Sequence, residues 1–244
     1  MDWYENWFGS PFYKILYQNR DDYEAQEFIE HLLKYLQPLP GSAMLDIACG
    51  EGRFARQLAD HGFVVTGIDI SHPSIETAKA HETDNLQFFV QDMRLPFYIN
   101  YFNYAFNFFT SFGYFAHNRD HALAARSFSA ALRPNGILVI DYLNAEQVIT
   151  NLVAEEIIQR GSYTFQIRRK VERKHIIKEI TFIDADKRQR QYTESVAAFS
   201  LSDFIQMFRP SDMFLVSTFG DYQLNPYHPT ESPRLIMVFK KKNA

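Results

Sequence analysis

Met44-Leu45-Asp46-Ile47-Ala48-Cys49-Gly50-Glu51-Gly52-Arg53 joins a short apolar run to a helical pattern through two glycines one residue apart. Glycine at such a turn lets the backbone approach a ligand closely, because no Cβ intervenes. The helix that follows opens with N–H groups that have no partner inside it. On either side of this turn the chain alternates. Apolar runs at 43–48, 63–68, 86–90, 104–109 and 137–142 are separated by helical patterns at 53–61, after Ser71 and at 120–132. Gly62 stops the first helix, Ser71 and Pro73 start the second, and Pro134-Asn135-Gly136 closes the third. The run at 137–142 is continuously apolar, as a strand covered on both faces requires. This alternation predicts an α/β, doubly wound, largely parallel sheet.

The rhythm changes after Asn144. A short helix at 146–153 precedes three strand-like runs, 156–170, 175–183 and 189–199, which read as an antiparallel insert. A helix at 202–208 and strands at 213–219 and 235–240 return to the first pattern. At the other end, Trp3, Tyr4, Trp7, Phe8, Phe12, Tyr13 and Tyr17 precede a helical pattern at 21–36 that Pro38-Leu39-Pro40-Gly41 ends. The expected organisation is a helical lid and substrate segment at 1–40, a core at 41–144 and 200–244, and the insert at 145–199.

The 244 residues carry a formal net charge of −4. The basic cluster Arg168-Arg169-Lys170 is matched by Glu172, Glu179 and Asp184, so no electrostatic footprint for nucleic acid or an anionic membrane is expected. The most apolar stretch, 97–116, is broken by Asn100, Asn103, Asn107 and Gly113, too polar to span a bilayer. Cys49 is the sole cysteine, which fits a reducing compartment. The first residues show neither a basic nor an apolar signal region. A cytoplasmic location follows as an expectation, with a homodimer left open.

Gly50 to Ala55 satisfies G-x-G-x-x-A, the dinucleotide fingerprint. Asp69 ends the next strand roughly twenty residues on, the spacing for a carboxylate that binds ribose hydroxyls. Asp46, before the glycines, argues against a dinucleotide, because a carboxylate there would repel pyrophosphate at the helix N-terminus. S-adenosylmethionine has no phosphate; it carries an ammonium and a sulfonium, which Asp46 and loop carbonyls favour. Methyl transfer is therefore the leading reading. An NAD(P)-dependent oxidoreductase and a non-catalytic binding module stand as alternatives.

The segment 45–53 resembles motif I of class I S-adenosylmethionine-dependent methyltransferases. Val65-Thr66-Gly67-Ile68-Asp69-Ile70-Ser71 resembles their second-strand motif, and Gln91-Asp92-Met93-Arg94 the segment whose aspartate binds the adenine amino group. Phe108-Phe109-Thr110-Ser111-Phe112-Gly113-Tyr114-Phe115 is similar to the fourth-strand motif of a small-molecule group that includes amino-sugar N-methyltransferases, and Leu132-Arg133-Pro134-Asn135-Gly136 to the turn before strand five. The likeness runs across nearly the whole chain. It implies a Rossmann-like seven-stranded methyltransferase sheet, S-adenosylmethionine as cofactor and a small-molecule acceptor.

By position, the resemblance implies that Asp46, Ala48, Gly50 and Gly52 form the loop under the methionine part. Asp69 would hold the ribose with Ile70 against the adenine. Asp92 would accept from the adenine N6, with Met93 donating its backbone N–H. Phe109 would begin the wall facing the reactive methyl, and Tyr13 and Arg20 would close over the cofactor, Arg20 pairing with its carboxylate. A hydroxyl or protonated amine as acceptor needs a base. Tyr114 and His117 are the expected catalytic residues, with Asp141 and His228 as further possibilities. Neither a metal-ligating cluster nor a nucleophile elbow is present in the sequence.

Overall fold

β1 (Ala43–Ile47) is buried at all five positions and lies in the interior of the main sheet. β2 (Val64–Asp69) and β4 (Phe102–Asn107) flank it in parallel, β3 (Leu86–Val90) adds to β2, and β5 (Leu132–Leu143) adds to β4. In the computed structural model, which describes residues 3–17 and 22–243, the order is β3-β2-β1-β4-β5-β11-β10. β11 (Arg234–Lys241) runs antiparallel to β5, and β10 (Met213–Phe219) antiparallel to β11. This is the expected seven-stranded, doubly wound sheet. Successive strands are added in opposite directions from this point, β1 to β2 and β3 on one side and β4 to β5 on the other, so the connections leaving the carboxyl ends of β1 and β4 part there and leave a crevice, the usual ligand position in an open α/β sheet.

The helices cover the sheet because their apolar stripes need burial. α4 (Arg53–Asp60) and α5 (His72–Lys79) follow β1 and β2, and Ser71 caps α5 by accepting from the Ser74 N–H at 3.3 Å. α6 (Asn118–Ala131) connects β4 to β5. The N-terminal segment divides among three cores, with Tyr4 packed in the one that holds Phe115 and Ile140. Phe28, Ile29 and Leu32 of α3 (Asp22–Leu36) pack with Phe54, Leu58 and Phe106. The short helices α1 (Trp3–Phe8) and α2 (Pro11–Leu16) go elsewhere: Trp7 and Leu16 join Phe165, Ile167, Ile180 and Phe182 of a second sheet.

That second sheet lies between α7 (Ala145–Thr150) and α8 (Leu201–Phe208) and is antiparallel, as expected, but it has four strands where three were read. The run at 156–170 folds back on itself into β6 (Glu155–Arg160) and β7 (Tyr163–Glu172), joined at Gly161, whose φ of +55° favours glycine. β8 (His175–Ile183) and β9 (Gln189–Ala197) complete it. A second difference falls on β4, which ends at Asn107 rather than at residue 109. Phe109 and Thr110 turn away from the strand with φ of +55° and +59°.

Candidate active site

The β1–α4 loop reverses direction by alternating left-handed residues: Ala48 (φ +60°), Gly50 (φ +56°) and Gly52 (φ +79°). The Cys49 N–H donates to the Ile68 carbonyl at 3.0 Å, pinning the loop to β2, and the Gly52 N–H donates to the Cys49 carbonyl at 2.9 Å. Gly52 is also needed for space, since an added Cβ would fall well inside contact distance of the Phe88 ring. Gly50 has nothing within 4 Å of where a Cβ would be, which leaves its outer side open.

That loop borders a cavity of about 360 Å³. Its floor comes from the carboxyl ends of the parallel strands: Asp46 of β1 with Ala48 and Gly50 beyond it, Asp69 at the end of β2 with Ile70 beyond it, Asp92 and Met93 after β3, Phe109 and Thr110 after β4. Its roof comes from the N-terminal helices, through Tyr4, Phe8, Tyr13, Lys14 and Tyr17. Lys14 forms an ion pair with Glu51 across the mouth, tying the roof to the glycine loop.

The carboxylates along the floor differ in environment. Asp46 is buried, and its Oδ2 has no hydrogen-bond partner among the described residues. Burial and the neighbouring Asp69 push its pKa up to about 7, against smaller opposing effects of the Ala55 backbone N–H and the Arg53 charge. Asp69 accepts from the N–H of Gly50 at 2.9 Å and from that of Ser71 at 2.7 Å. Burial raises its pKa against those same backbone donors. Asp92 is held by Arg94, whose Nε and Nη2 donate to Oδ2 at 2.9 and 2.7 Å. The Arg94 guanidinium in turn lies 5.1 Å from the centroid of the Phe115 ring, on the opposite wall.

The structure thus gathers Tyr13, Asp46, Ala48, Gly50, Asp69, Ile70, Asp92, Met93, Phe109 and Tyr114 around one cavity. Gly52 stands behind it, against Phe88. Arg20 lies outside the described residues. His117 is not among the lining residues: it is exposed at the N-cap of α6, because the chain has already turned at Phe109 and Thr110. Exposed His228 also stays outside, its N–H donating to Ser232 Oγ at 2.9 Å. Asp141 is fully buried behind the cavity, paired to Arg234 with Nη2 at 2.7 Å.

Three groups were not found from the sequence. Glu194 of β9 accepts from Trp7 Nε1 at 2.7 Å and from the Tyr17 hydroxyl at 2.8 Å, and Lys178 of β8 donates to the same hydroxyl at 2.6 Å. These contacts fasten the roof to the second sheet. Arg53 sits 4.9 Å from the centroids of both the Phe54 and Phe109 rings, at the cavity edge. Nothing in their local sequence separates these charges from the solvated ones beside them. Among the described residues, no group of three or more His, Cys, Asp or Glu side chains is placed to hold a metal ion, and no helix is long and apolar enough to cross a membrane.

A family model described as a methyltransferase domain matches residues 17–213. A ubiquinone biosynthesis O-methyltransferase from Coxiella burnetii is 30% identical over 118 residues, 46% of this chain and 49% of that protein. The chain spans about half the length of the curated relatives it matches. Among solved structures, the CcbJ methyltransferase from Streptomyces caelestis has a TM-score of 0.79 at 17% identity, covering 98% of this chain and 99% of that one. The sugar N-methyltransferase KedS8 from Streptoalloteichus sp. has a TM-score of 0.72 at 18% identity, covering 94% and 92%. At these identities the likeness to the solved structures is one of fold.

Proposed function

Since the chain belongs to the methyltransferase-domain family, with residues 17–213 matching its model, we propose that it transfers a methyl group from S-adenosylmethionine to a nitrogen or oxygen of a small-molecule acceptor. The observation that carries this reading is Asp46: a buried carboxyl whose Oδ2 lacks a hydrogen-bond partner among the described residues, facing a cavity floored by the glycine loop. A buried polar atom of this kind is costly until it is paired. An ammonium is the partner that fits it, whereas a pyrophosphate would be repelled. The dinucleotide alternative loses its basis on that ground.

The remaining floor residues fit the same cofactor. Asp69 is placed for ribose hydroxyls, Ile70 and Met93 for an adenine face, and Asp92 for an exocyclic amine. Open space beside Gly50 suits the methionine chain. S-adenosylmethionine, when bound, supplies a sulfonium methyl already activated for displacement. The protein's part is to align the acceptor and exclude water. Phe8, Tyr13, Tyr17, Tyr114 and Phe115 supply apolar area for that purpose. Tyr114 is the proposed acceptor-side hydroxyl; its ring stands edge-on to Phe8 and Trp3, at 5.0 and 5.8 Å, and so is fixed by the lid. His117, exposed at the start of α6, has no part in this proposal.

The sugar N-methyltransferase among the structural neighbours and the O-methyltransferases among the relatives support both acceptor atoms. The test is calorimetry with S-adenosylmethionine and S-adenosylhomocysteine, followed by a methyl-transfer screen of amines, amino sugars and phenols. Micromolar binding of both compounds and turnover of one class are expected. Absence of binding at millimolar ligand would overturn the proposal, and binding without turnover would favour a non-catalytic module.

A further inference from the structure

Phe109 and Thr110 are consecutive non-glycine residues in the left-handed region. Such conformations persist only where the surroundings over-determine them, and here one buried ion pair does so. Asp141, at the carboxyl end of β5, is fully buried. Its Oδ2 accepts from the Phe109 N–H at 2.8 Å and from the Tyr222 hydroxyl at 3.1 Å. Its own carbonyl accepts from the Thr110 N–H at 2.9 Å. Arg234, the first residue of β11, donates through Nε to Asp141 Oδ1 at 2.8 Å and through Nη2 to Thr110 Oγ1 at 3.0 Å. Two side chains and one carbonyl thus hold both residues of the turn. Phe109 and Thr110 line the cavity, while Asp141 and Arg234 do not.

A buried ion pair is a poor source of stability, because desolvating two charges offsets most of their attraction. What such a pair supplies is direction, and every hydrogen-bonding atom named here points at the 109–110 turn or at its partner. We propose that Asp141 and Arg234 are positioning residues that fix the Phe109–Thr110 wall and thereby set the discrimination between S-adenosylmethionine and its demethylated product. The inference rests on the cofactor reading above, together with the resemblance that implies Phe109 begins the wall facing the transferable methyl; Phe109 and Thr110 both line the cavity. The two compounds differ at that methyl and its charge, so the ratio of their affinities reports the wall while the rest of the molecule cancels.

The test is calorimetry of both compounds with the full chain and with Asp141→Asn, Arg234→Lys and Tyr222→Phe. Tyr222→Phe removes one donor to Oδ2 and leaves the ion pair, so it serves if Asp141→Asn fails to fold. Asp141→Asn is expected to change the ratio of dissociation constants by about fivefold or more, the scale of one directed hydrogen bond. Arg234→Lys should shift it less, and Tyr222→Phe less again, all in one direction. Amide exchange at Phe109 and Thr110 should quicken in each variant relative to the amides of β4 and β5. A merely structural role would lower both affinities by a common factor, and an unchanged ratio in folded variants overturns the inference while leaving the cofactor reading intact. Failure of the unaltered chain to bind either compound overturns both.

Discussion

The backbone N–H of Gly50 donates to Oδ2 of Asp69 at 2.9 Å, so the turn after β1 is fastened to the carboxylate that ends β2. Asp69 therefore shapes the glycine loop, and in the proposed function it would also offer acceptors to a ribose. Asp69→Ala removes both, and cofactor affinity should fall by about 10- to 100-fold, the scale of one or two hydrogen bonds to a charged group. Asp69→Asn, which keeps one oxygen, should lie between. Titration calorimetry reads this directly, and an affinity unchanged in Asp69→Ala would remove Asp69 from the site.

The two loop glycines should respond unequally. Gly52→Ala forces a side chain at φ +79° into the ring of Phe88, and a loss of about 2–4 kcal/mol is expected from strain and overpacking together. Gly50→Ala meets no neighbour within 4 Å, and only the conformational cost, about 1 kcal/mol, should appear. Urea denaturation separates the two. Adding Phe88→Leu should recover part of the loss in Gly52→Ala and none of that in Gly50→Ala.

Asp46 gives the unliganded protein a pH dependence of definite sign. Its folded pKa, about 7, exceeds the ordinary value of 3.8, so the folded state binds the proton more tightly. The stabilisation is present below the ordinary value and is lost as pH rises from about 4 through about 7. A cationic partner reverses the preference, because it favours the ionised carboxyl, and cofactor affinity should increase over the same range. Thermal denaturation from pH 5 to pH 8, compared between the natural chain and Asp46→Asn, isolates this contribution. Parallel curves would show that Asp46 does not titrate there.

The roof depends on Glu194. In Glu194→Gln the charge that accepts from Trp7 and Tyr17 is gone, and the attachment of residues 3–17 should weaken by about 1–3 kcal/mol. Trp3 and Trp7 are the chain's two tryptophans, so intrinsic fluorescence observes this segment specifically. A red-shifted maximum and faster chymotryptic cleavage before residue 18 are expected. A spectrum identical to that of the natural chain would mean that aromatic packing alone holds the roof.

Much of this arrangement was legible in the chain because it depends on local pattern. The alternation of strands and helices, the glycine turn, and Asp69 and Asp92 at strand ends all follow from residue type and spacing. The hairpin at Gly161 did not stand out, because the alternating pattern of the second sheet continues through it with a single glycine as punctuation. His117 is expected on the ligand side just past a fourth strand that the sequence extends to residue 109; β4 ends at Asn107, and the left-handed pair Phe109 and Thr110, with no glycine between them, diverts the chain first. Asp141 is one candidate base in the sequence, and its ion-pair role is not legible there, because its partner Arg234 is 93 residues away and joins it only once β11 has inserted. Glu194 and Lys178 resembled the solvated charges around them until α1 and α2 covered them.

The insertion of β11 between β5 and β10 has a consequence for biosynthesis. β5 ends at Leu143, and the strand that covers its outer edge begins at Arg234. A ribosome adding 5–20 residues per second leaves that edge without its partner for roughly 5–20 seconds. Val139, Ile140 and Tyr142, all fully buried in the finished protein, sit on β5. An uncovered strand of this composition is a template for pairing with another chain. The nascent protein therefore passes through an interval in which five of the seven strands of its main sheet are made and their outer edge is adhesive, and the segment spanning the insert and α8 sets how long that interval lasts.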